Sequence, residues 1–382
     1  MLLLVQGIST FILLLRLIKG ATRSAPLEYV EFEPDMLAQV SVIVPTLNER
    51  DRIEPCLIGL GKQGDEVREV LFIDSYSQDG TIELIKEYIQ KDPRFHLLHD
   101  QPLPPGWVGR PWALHSGFLE TNTESKWILG IDADTMPQKG LIASMLKTAE
   151  LEKYDLLSLA PRFILEEPGE WLLQPALLVT LLYRCNLAGV SSYNHPSEVM
   201  ANGQCFLCKR KVLEDLGGYQ IAAGSFCDDV TLARYAASKG YRVGFLDGSS
   251  LLNVRMYNGF KDTWSGWGRS IDLKDATSNV ELWADIFLLI LVQALPLFLL
   301  LFSTLAISSG YSFLSLKLLW LLNLFLVLVR FALLLPIYSS YLHKGKLSEL
   351  LFWLSPLLDP LAVLRIVLSA TSKPKQWRGR VY

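Results

Sequence analysis

Apolar residues in this chain follow two patterns. Between about residues 40 and 280 they come in short runs divided by polar stretches, and after Ala284 they merge into long ones. Val40 to Pro45 is a β-branched run ended by proline, the composition of a strand buried on both faces. Glu69 to Asp74, Phe95 to Leu98 and Lys126 to Ile131 repeat the theme. Between them, Arg52 to Gly61, Thr81 to Gln90 and Pro111 to Glu120 have helical spacing, clearest at Ile82, Ile85 and Ile89. Strands alternating with helices predict an α/β fold with a doubly wound, mostly parallel sheet. Ligands of such sheets bind beyond the carboxyl ends of the strands.

The long runs predict membrane helices. Ile286 to Ala306 is 21 residues without a charge, enough to cross about 30 Å of hydrocarbon. Leu318 to Ile337 is interrupted only by Arg330 among charged residues. Leu350 to Ala370 carries Pro356, Asp359, Pro360 and Arg365, which suits a re-entrant or interfacial segment better than a lipid-facing span. Leu2 to Ile18 is apolar apart from Gln6 and Arg16. Its positive charges, Arg16, Lys19 and Arg23, follow the apolar run instead of preceding it, so it reads as an uncleaved anchor. The expected organisation is an anchor over 1–20, an α/β domain over 38–280, a membrane region over 284–370 and a basic tail over 371–382. Basic residues after the anchor, in the loop at His343, Lys344 and Lys346, and in the tail place the central domain on the cytoplasmic side. The expected location is a bacterial inner membrane or a thylakoid-type membrane.

Composition changes this picture little. The 382 residues carry 36 Lys and Arg against 39 Asp and Glu, a net charge of −3, which argues against a nucleic-acid partner. A mean hydropathy of +0.27 reflects the apolar ends. Five scattered cysteines suit a reducing compartment. Cys205 and Cys208 have zinc-ligand spacing, but no second pair matches them and their surroundings read as a strand.

The candidate chemistry begins at Asp132-Ala133-Asp134, which closes the run Trp127 to Ile131. Carboxylates beside a core carry a desolvation cost unless a cation or donor answers them. A hard divalent cation holding a diphosphate is the usual answer, and a solvated turn is the bland one. Asn48-Glu49 follow the first strand, Asp74 ends the second, and the Asp132/Asp134 pair ends the fourth. All fall at one edge of the expected sheet, which favours a site.

Val40-Ser-Val-Ile-Val-Pro-Thr-Leu-Asn-Glu49, Ile73-Asp-Ser-Tyr-Ser-Gln-Asp-Gly-Thr81 and Asp132-Ala-Asp134 resemble the motifs of family 2 glycosyltransferases with the GT-A fold. The resemblance covers roughly residues 38 to 275. It implies a nucleoside site formed by Pro45, Thr46, Asn48, Glu49, Asp74 and Asp79, with Asp132 on the ribose or the metal and Asp134 as metal ligand. The metal would be Mg2+ or Mn2+, and the donor a UDP- or GDP-type sugar nucleotide. Asp228-Asp229 resemble the family's acidic pair, with Asp for the more usual Glu at 228; Asp229 would be the general base and Asp228 its support. Helix capping is the alternative for this pair.

Leu103-Pro-Pro-Gly-Trp-Val-Gly-Arg-Pro-Trp-Ala-Leu114 is similar to a segment of bacterial carotenoid- and hopanoid-associated glycosyltransferases, with Arg110 facing the diphosphate or base. Arg255-Met-Tyr257, the stretch to Trp267-Gly-Arg269 and the terminal Trp377 to Tyr382 resemble the same subgroup. Trp264-Ser-Gly-Trp-Gly-Arg269 lacks the Gln-x-x-Arg-Trp order of processive synthases, which favours transfer of a single sugar. Gln204, Trp264, Trp267 and Arg269 are placed on the acceptor or diphosphate side; membrane-interface anchoring is the alternative for the tryptophans. Trp171 to Leu187 reads as an apolar helix, either along the membrane surface or in a core.

The resulting expectation is an inverting, metal-dependent transferase acting on a carotenoid hydroxyl or carboxyl in a lipid bilayer. Ceramide, hopanoid and polyprenyl-phosphate acceptors remain alternatives. Two other classes stay open: a haloacid-dehalogenase-like phosphatase, whose signature opens with an Asp-x-Asp pair such as Asp132 and Asp134, and an inactive scaffold. The phosphatase signature normally opens its domain, whereas here three strand–helix units precede it.

Overall fold

The computed structural model describes residues 1–185, 188–189, 195–269, 271–311, 313–343, 345–372, 376–377 and 380–381. Part of the basic tail, including Arg378, Gly379 and Tyr382 of the terminal motif, and the end of the Trp171–Leu187 segment lie outside them. The chain divides into two compact units. One comprises Arg23–Phe163, Ala188–Met256 and Pro374–Tyr382; the other comprises Met1–Thr22, Ile164–Leu187 and Tyr257–Lys373.

The first unit is α/β. Its strands are β1 (Val40–Thr46), β2 (Val67–Asp74), β3 (Phe95–His99), β4 (Trp127–Ile131), β5 (Thr135–Pro137), β6 (Leu156–Ala160), β7 (Arg162–Phe163), β8 (Cys205–Lys209), β9 (Val243–Asp247) and β10 (Leu252–Val254). Seven form one sheet in the order β3-β2-β1-β4-β8-β6-β9, and β5-β10-β7 form a smaller one. Every residue of β1 is buried, as its continuous apolar run requires. β1 pairs in parallel with β2 and β4, bringing Thr46 level with Asp74. Strand β8 runs antiparallel to both β4 and β6, with Cys205 opposite Ile131. Cys205 and Cys208 therefore sit on one strand, and their odd spacing sends them to opposite faces. Both are buried, and burial pushes their thiols well up; that of Cys56 is likewise pushed up, to about 12. This is the environment of inert structural cysteines.

The second unit is helical and inside-out in polarity. The helix Leu2–Ile18 buries Gln6, Ser9 and Thr10 while Leu4, Ile8, Phe11 and Leu15 are exposed. Leu314–Ala332 likewise buries Asn323 and Arg330 and exposes Leu321, Phe325 and Leu328. Gln6 donates to Asn323 Oδ1 at 2.8 Å and to the Leu291 carbonyl at 3.0 Å. Polar residues turned inward and apolar residues outward are the arrangement that hydrocarbon solvent favours.

Among the described residues, two helical stretches are long and apolar enough to cross a membrane, Leu314–Ser340 (27 residues) and Lys346–Thr371 (26 residues). The second contains the segment expected to re-enter. Its Asp359 is 2 % exposed and takes Arg330 Nε at 2.8 Å and Nη2 at 3.0 Å. One charge that argued against a span, Asp359, is thus answered inside the unit by Arg330 from another helix. A break falls in the uncharged run expected to span: Asn279–Ala294 and Pro296–Ser308 are bent by 44°. A π-helical turn, Ile290–Ala294, precedes Pro296, and both features break the regular hydrogen-bond ladder.

Candidate active site

The carboxyl ends of β1, β2 and β4 gather most of the polar residues singled out above. Asp74, the last residue of β2, is fully buried. Its carboxylate accepts from the Ser77 amide at 2.9 Å, the Ser77 hydroxyl at 2.6 Å and Thr46 Oγ1 at 3.3 Å. Asn48 adopts a left-handed backbone (φ 54°); its amide donates to Ser77 Oγ and its side-chain carbonyl accepts from the Gln78 amide. The loops after β1 and β2 are thereby tied to each other.

Pro45 is buried within β1. Glu49 is also buried; its amide donates to Thr81 Oγ1 and its carboxylate lies 3.3 Å from Arg52 Nε. Asp79 accepts from the Arg50 amide and from both donors of Thr81. Burial raises its pKa, but those three bonds outweigh burial and hold it below the usual carboxylate range. Asp79 thus fixes the start of the helix Thr81–Ile89.

A second cluster centres on Arg110, in the first turn of the helix Gly109–Glu120. The Pro-Gly-Trp segment before it is held by edge-to-face packing of Trp107 on Trp112 at 5.1 Å and stacking of Trp107 on His115 at 5.1 Å. A bond from the Val108 amide to the Ala223 carbonyl at 2.7 Å adds to this. Arg110 Nε donates to Asp132 Oδ1 at 2.9 Å, Nη1 pairs with Asp228 Oδ2, and Nη2 donates to the Gly203 carbonyl at 2.5 Å. The Gly203 amide donates to Asp229 Oδ2 at 2.6 Å. Burial opposes the Arg110 charge, but Asp132, Asp228 and Asp229 more than reverse this and hold the guanidinium firmly protonated.

Asp228 and Asp229 open the helix Asp228–Ser238, where the helix dipole favours negative charge. Burial, with the neighbouring Asp229 and Asp132 charges, nevertheless pushes Asp228 up to about 7 against the pull of Arg110. Burial also raises Asp229, while Arg110 and the Val230 and Gly203 amides moderate the shift. A carboxylate poised near neutrality can take up and release a proton at working pH. Capping alone does not account for the pair, since each carboxylate faces a different partner from beyond the helix.

Asp134 is buried and leads into β5, where the Arg255 amide donates to its carbonyl at 3.3 Å. Thr135 holds the turn by donating to the Asp132 carbonyl at 2.7 Å through its hydroxyl. Among the described residues no group of three or more His, Cys, Asp or Glu is arranged to hold a metal. Mg2+ needs no such cage, because it commonly takes one or two carboxylates, waters and substrate phosphates. The hard oxygen donors of Asp132 and Asp134 fit that requirement.

Most of these residues, though not Asp228 and Asp229, fall in a segment that matches a sequence family. Residues 41–217 match the model described as Glycosyl transferase family 2. That segment is a glycosyltransferase family 2 domain. The 4,4'-diaponeurosporenoate glycosyltransferase of Staphylococcus haemolyticus is 23 % identical over 240 residues, 63 % of this chain and 62 % of that protein. A putative teichuronic acid biosynthesis glycosyltransferase of Bacillus subtilis is 27 % identical over 108 residues, 28 % of this chain and 40 % of that one. The chain thus spans less than two thirds of the length of both relatives. Among solved structures, a mannosyltransferase from Pyrobaculum calidifontis, in complex with GDP-Man and Mn2+, superposes with a TM-score of 0.52 at 18 % identity, covering 97 % of this chain and 98 % of that one. That likeness supports the GT-A fold.

Within the glycosyltransferase domain, Gln204 is buried beside Asn202, whose side-chain amide donates to its Oε1 at 3.2 Å. Trp264, Trp267 and Arg269 belong to the helical unit. Trp264 lies under Arg365, 5.4 Å from the ring centre, Trp267 is buried, and Arg269 Nε donates to the Gly266 carbonyl at 3.3 Å. Packing therefore occupies both tryptophans. Sequence reasoning missed Gly203, whose carbonyl and amide serve Arg110 and Asp229 in turn. An added Cβ there would meet Arg110 Nη2 at 2.6 Å. The only signal was a glycine between polar residues, which a plain turn explains equally well.

Proposed function

We propose that this glycosyltransferase moves a single sugar from a nucleoside diphosphate donor to a lipophilic hydroxyl or carboxyl, with a carotenoid-type terpenoid as acceptor. The observation that carries the reading is the Arg110 cluster, in which one guanidinium joins Asp132 on the donor side to Asp228 beside Asp229. The carotenoid choice draws on the staphylococcal relative named for a carotenoid acid. The inside-out helices of the second unit favour an acceptor dissolved in a bilayer. Ceramide, hopanoid and polyprenyl-phosphate acceptors are the competing choices.

In this reading Glu49 and Asp74 hold the nucleoside, and Asp132 and Asp134 hold Mg2+ or Mn2+. The bound ion supplies Lewis-acid charge for the departing diphosphate. Arg110 adds a fixed positive charge at the same place. Asp229 takes the proton of the acceptor hydroxyl as its oxygen attacks the anomeric carbon; a carboxyl acceptor attacks already ionised. The bond to the diphosphate oxygen breaks as the new bond forms on the opposite face, so configuration inverts. Asp228 keeps Arg110 in place and biases Asp229 by its charge. The catalytic domain lies on the cytoplasmic side of a bacterial membrane.

The test is turnover of UDP- and GDP-sugars by membranes holding wild type, Asp134→Ala or Asp229→Ala, with acceptor lipids analysed by mass spectrometry. Loss of product in both variants is expected. Retained activity in both would sink the assignment.

A further inference from the structure

Tyr76 stands in the left-handed region with φ 64° and keeps 55 % of its surface exposed. A bulky residue with that backbone is strained, and glycine would adopt it freely. Such strain persists only where the surroundings over-determine it. Here both neighbours are pinned: Ser75 donates to Asp100 Oδ2 at 2.7 Å, and Ser77 donates twice to Asp74. The ring stacks on His99, with centroids 5.5 Å apart and planes 13° from parallel. His99 is itself 47 % exposed, and its Nδ1 lies 3.6 Å from Asp74 Oδ2.

The pair therefore sits at the carboxyl ends of β2 and β3, beside the buried carboxylate expected to meet the nucleoside. Covering the core does not explain it, since more than half of the Tyr76 surface is exposed. An exposed aromatic held rigidly at energetic cost is suited to binding a flat partner, because stacking needs a fixed face and little hydrogen-bond geometry.

We infer that Tyr76, backed by His99, is the platform on which the donor nucleobase stacks, and that it strengthens nucleotide binding without touching the diphosphate. This rests on the donor-site reading above. The strain at Tyr76 is then the cost of holding an aromatic face where the chain would otherwise favour glycine.

The test is calorimetric titration of the full chain in detergent, with Mn2+, using UDP, GDP and base-less ribose 5-diphosphate. Tyr76→Gly suits the left-handed backbone and should unfold no earlier than wild type. It is expected to weaken the preferred nucleotide about five- to hundredfold while leaving ribose 5-diphosphate unchanged. Tyr76→Phe should keep wild-type affinity. Equal loss for both ligands, or no loss for either, overturns the platform while the donor site stands. Failure of wild type to bind UDP or GDP overturns both readings.

Discussion

The backbone amide of Gly203 donates to Oδ2 of Asp229 at 2.6 Å, while the carbonyl of the same residue accepts from Arg110. One peptide segment therefore sets the distance between the proposed base and the cation beside it. A methyl group at this position would meet Arg110 Nη2 at 2.6 Å and Cζ at 2.9 Å. Gly203→Ala should displace the guanidinium and lower turnover on the order of a hundredfold, as misplaced catalytic groups do. Circular dichroism and sugar-nucleotide turnover, measured together, check that the fold survives while activity falls.

The position of Asp228 makes stability depend on pH. Its folded value of about 7 lies above the ordinary carboxylate value of about 4. Between those values the folded chain holds a proton that the unfolded chain has released, so stability falls as pH rises through this window. The thermal midpoint of wild type should decline from about pH 4 to 7 more steeply than that of Asp228→Asn. Parallel curves for the two proteins would contradict this.

Removing divalent metal should abolish turnover if Asp132 and Asp134 act as proposed. Chelation followed by gel filtration, then addition of Mn2+ or Mg2+, should restore activity in wild type. Asp134→Ala should not recover at any metal concentration tested.

Arg330 and Asp359 form a buried pair, 4 % and 2 % exposed, and Gln293 Nε2 lies 3.5 Å from Asp359 Oδ1. Removing one member strands the other, at a cost of about 3–5 kcal/mol. Arg330→Met should therefore lower the unfolding midpoint in detergent sharply. Arg330→Met combined with Asp359→Leu should recover much of the loss, since a buried ion pair often exchanges for packed apolar residues without penalty.

The elements that were legible in the sequence are those in which local composition and tertiary role agree. β1 was expected over Val40 to Pro45 and spans Val40–Thr46; the helix expected over Thr81 to Gln90 spans Thr81–Ile89. The convergence of Asp74 and Asp132 at one sheet edge was legible for the same reason, since it follows from strand polarity. The reversed direction of β8 was not, because a buried apolar run reads alike in either direction. Nor could spacing reveal that Asp79 spends its carboxylate on Thr81 and Arg50, or that Tyr76 occupies a glycine-like backbone. The partner of Asp359 in the Leu350 to Ala370 segment was not legible either, because Arg330 lies 29 residues away in sequence.

Reversing one strand has a chemical consequence. At their carboxyl ends parallel strands present chain that has just left the ladder. A strand running the other way delivers chain that is about to enter it. Because β8 opposes β4, with Cys205 opposite Ile131, the residues just before it arrive where β4 gives way to Asp132. The Gln204 carbonyl takes the Asp132 amide at 3.2 Å, and the Gly203 amide turns to Asp229. The inverted strand thus hands main-chain polarity to a cluster otherwise built from side chains. A deletion of one residue in β8 would turn those main-chain groups away from that edge without altering a single acidic residue.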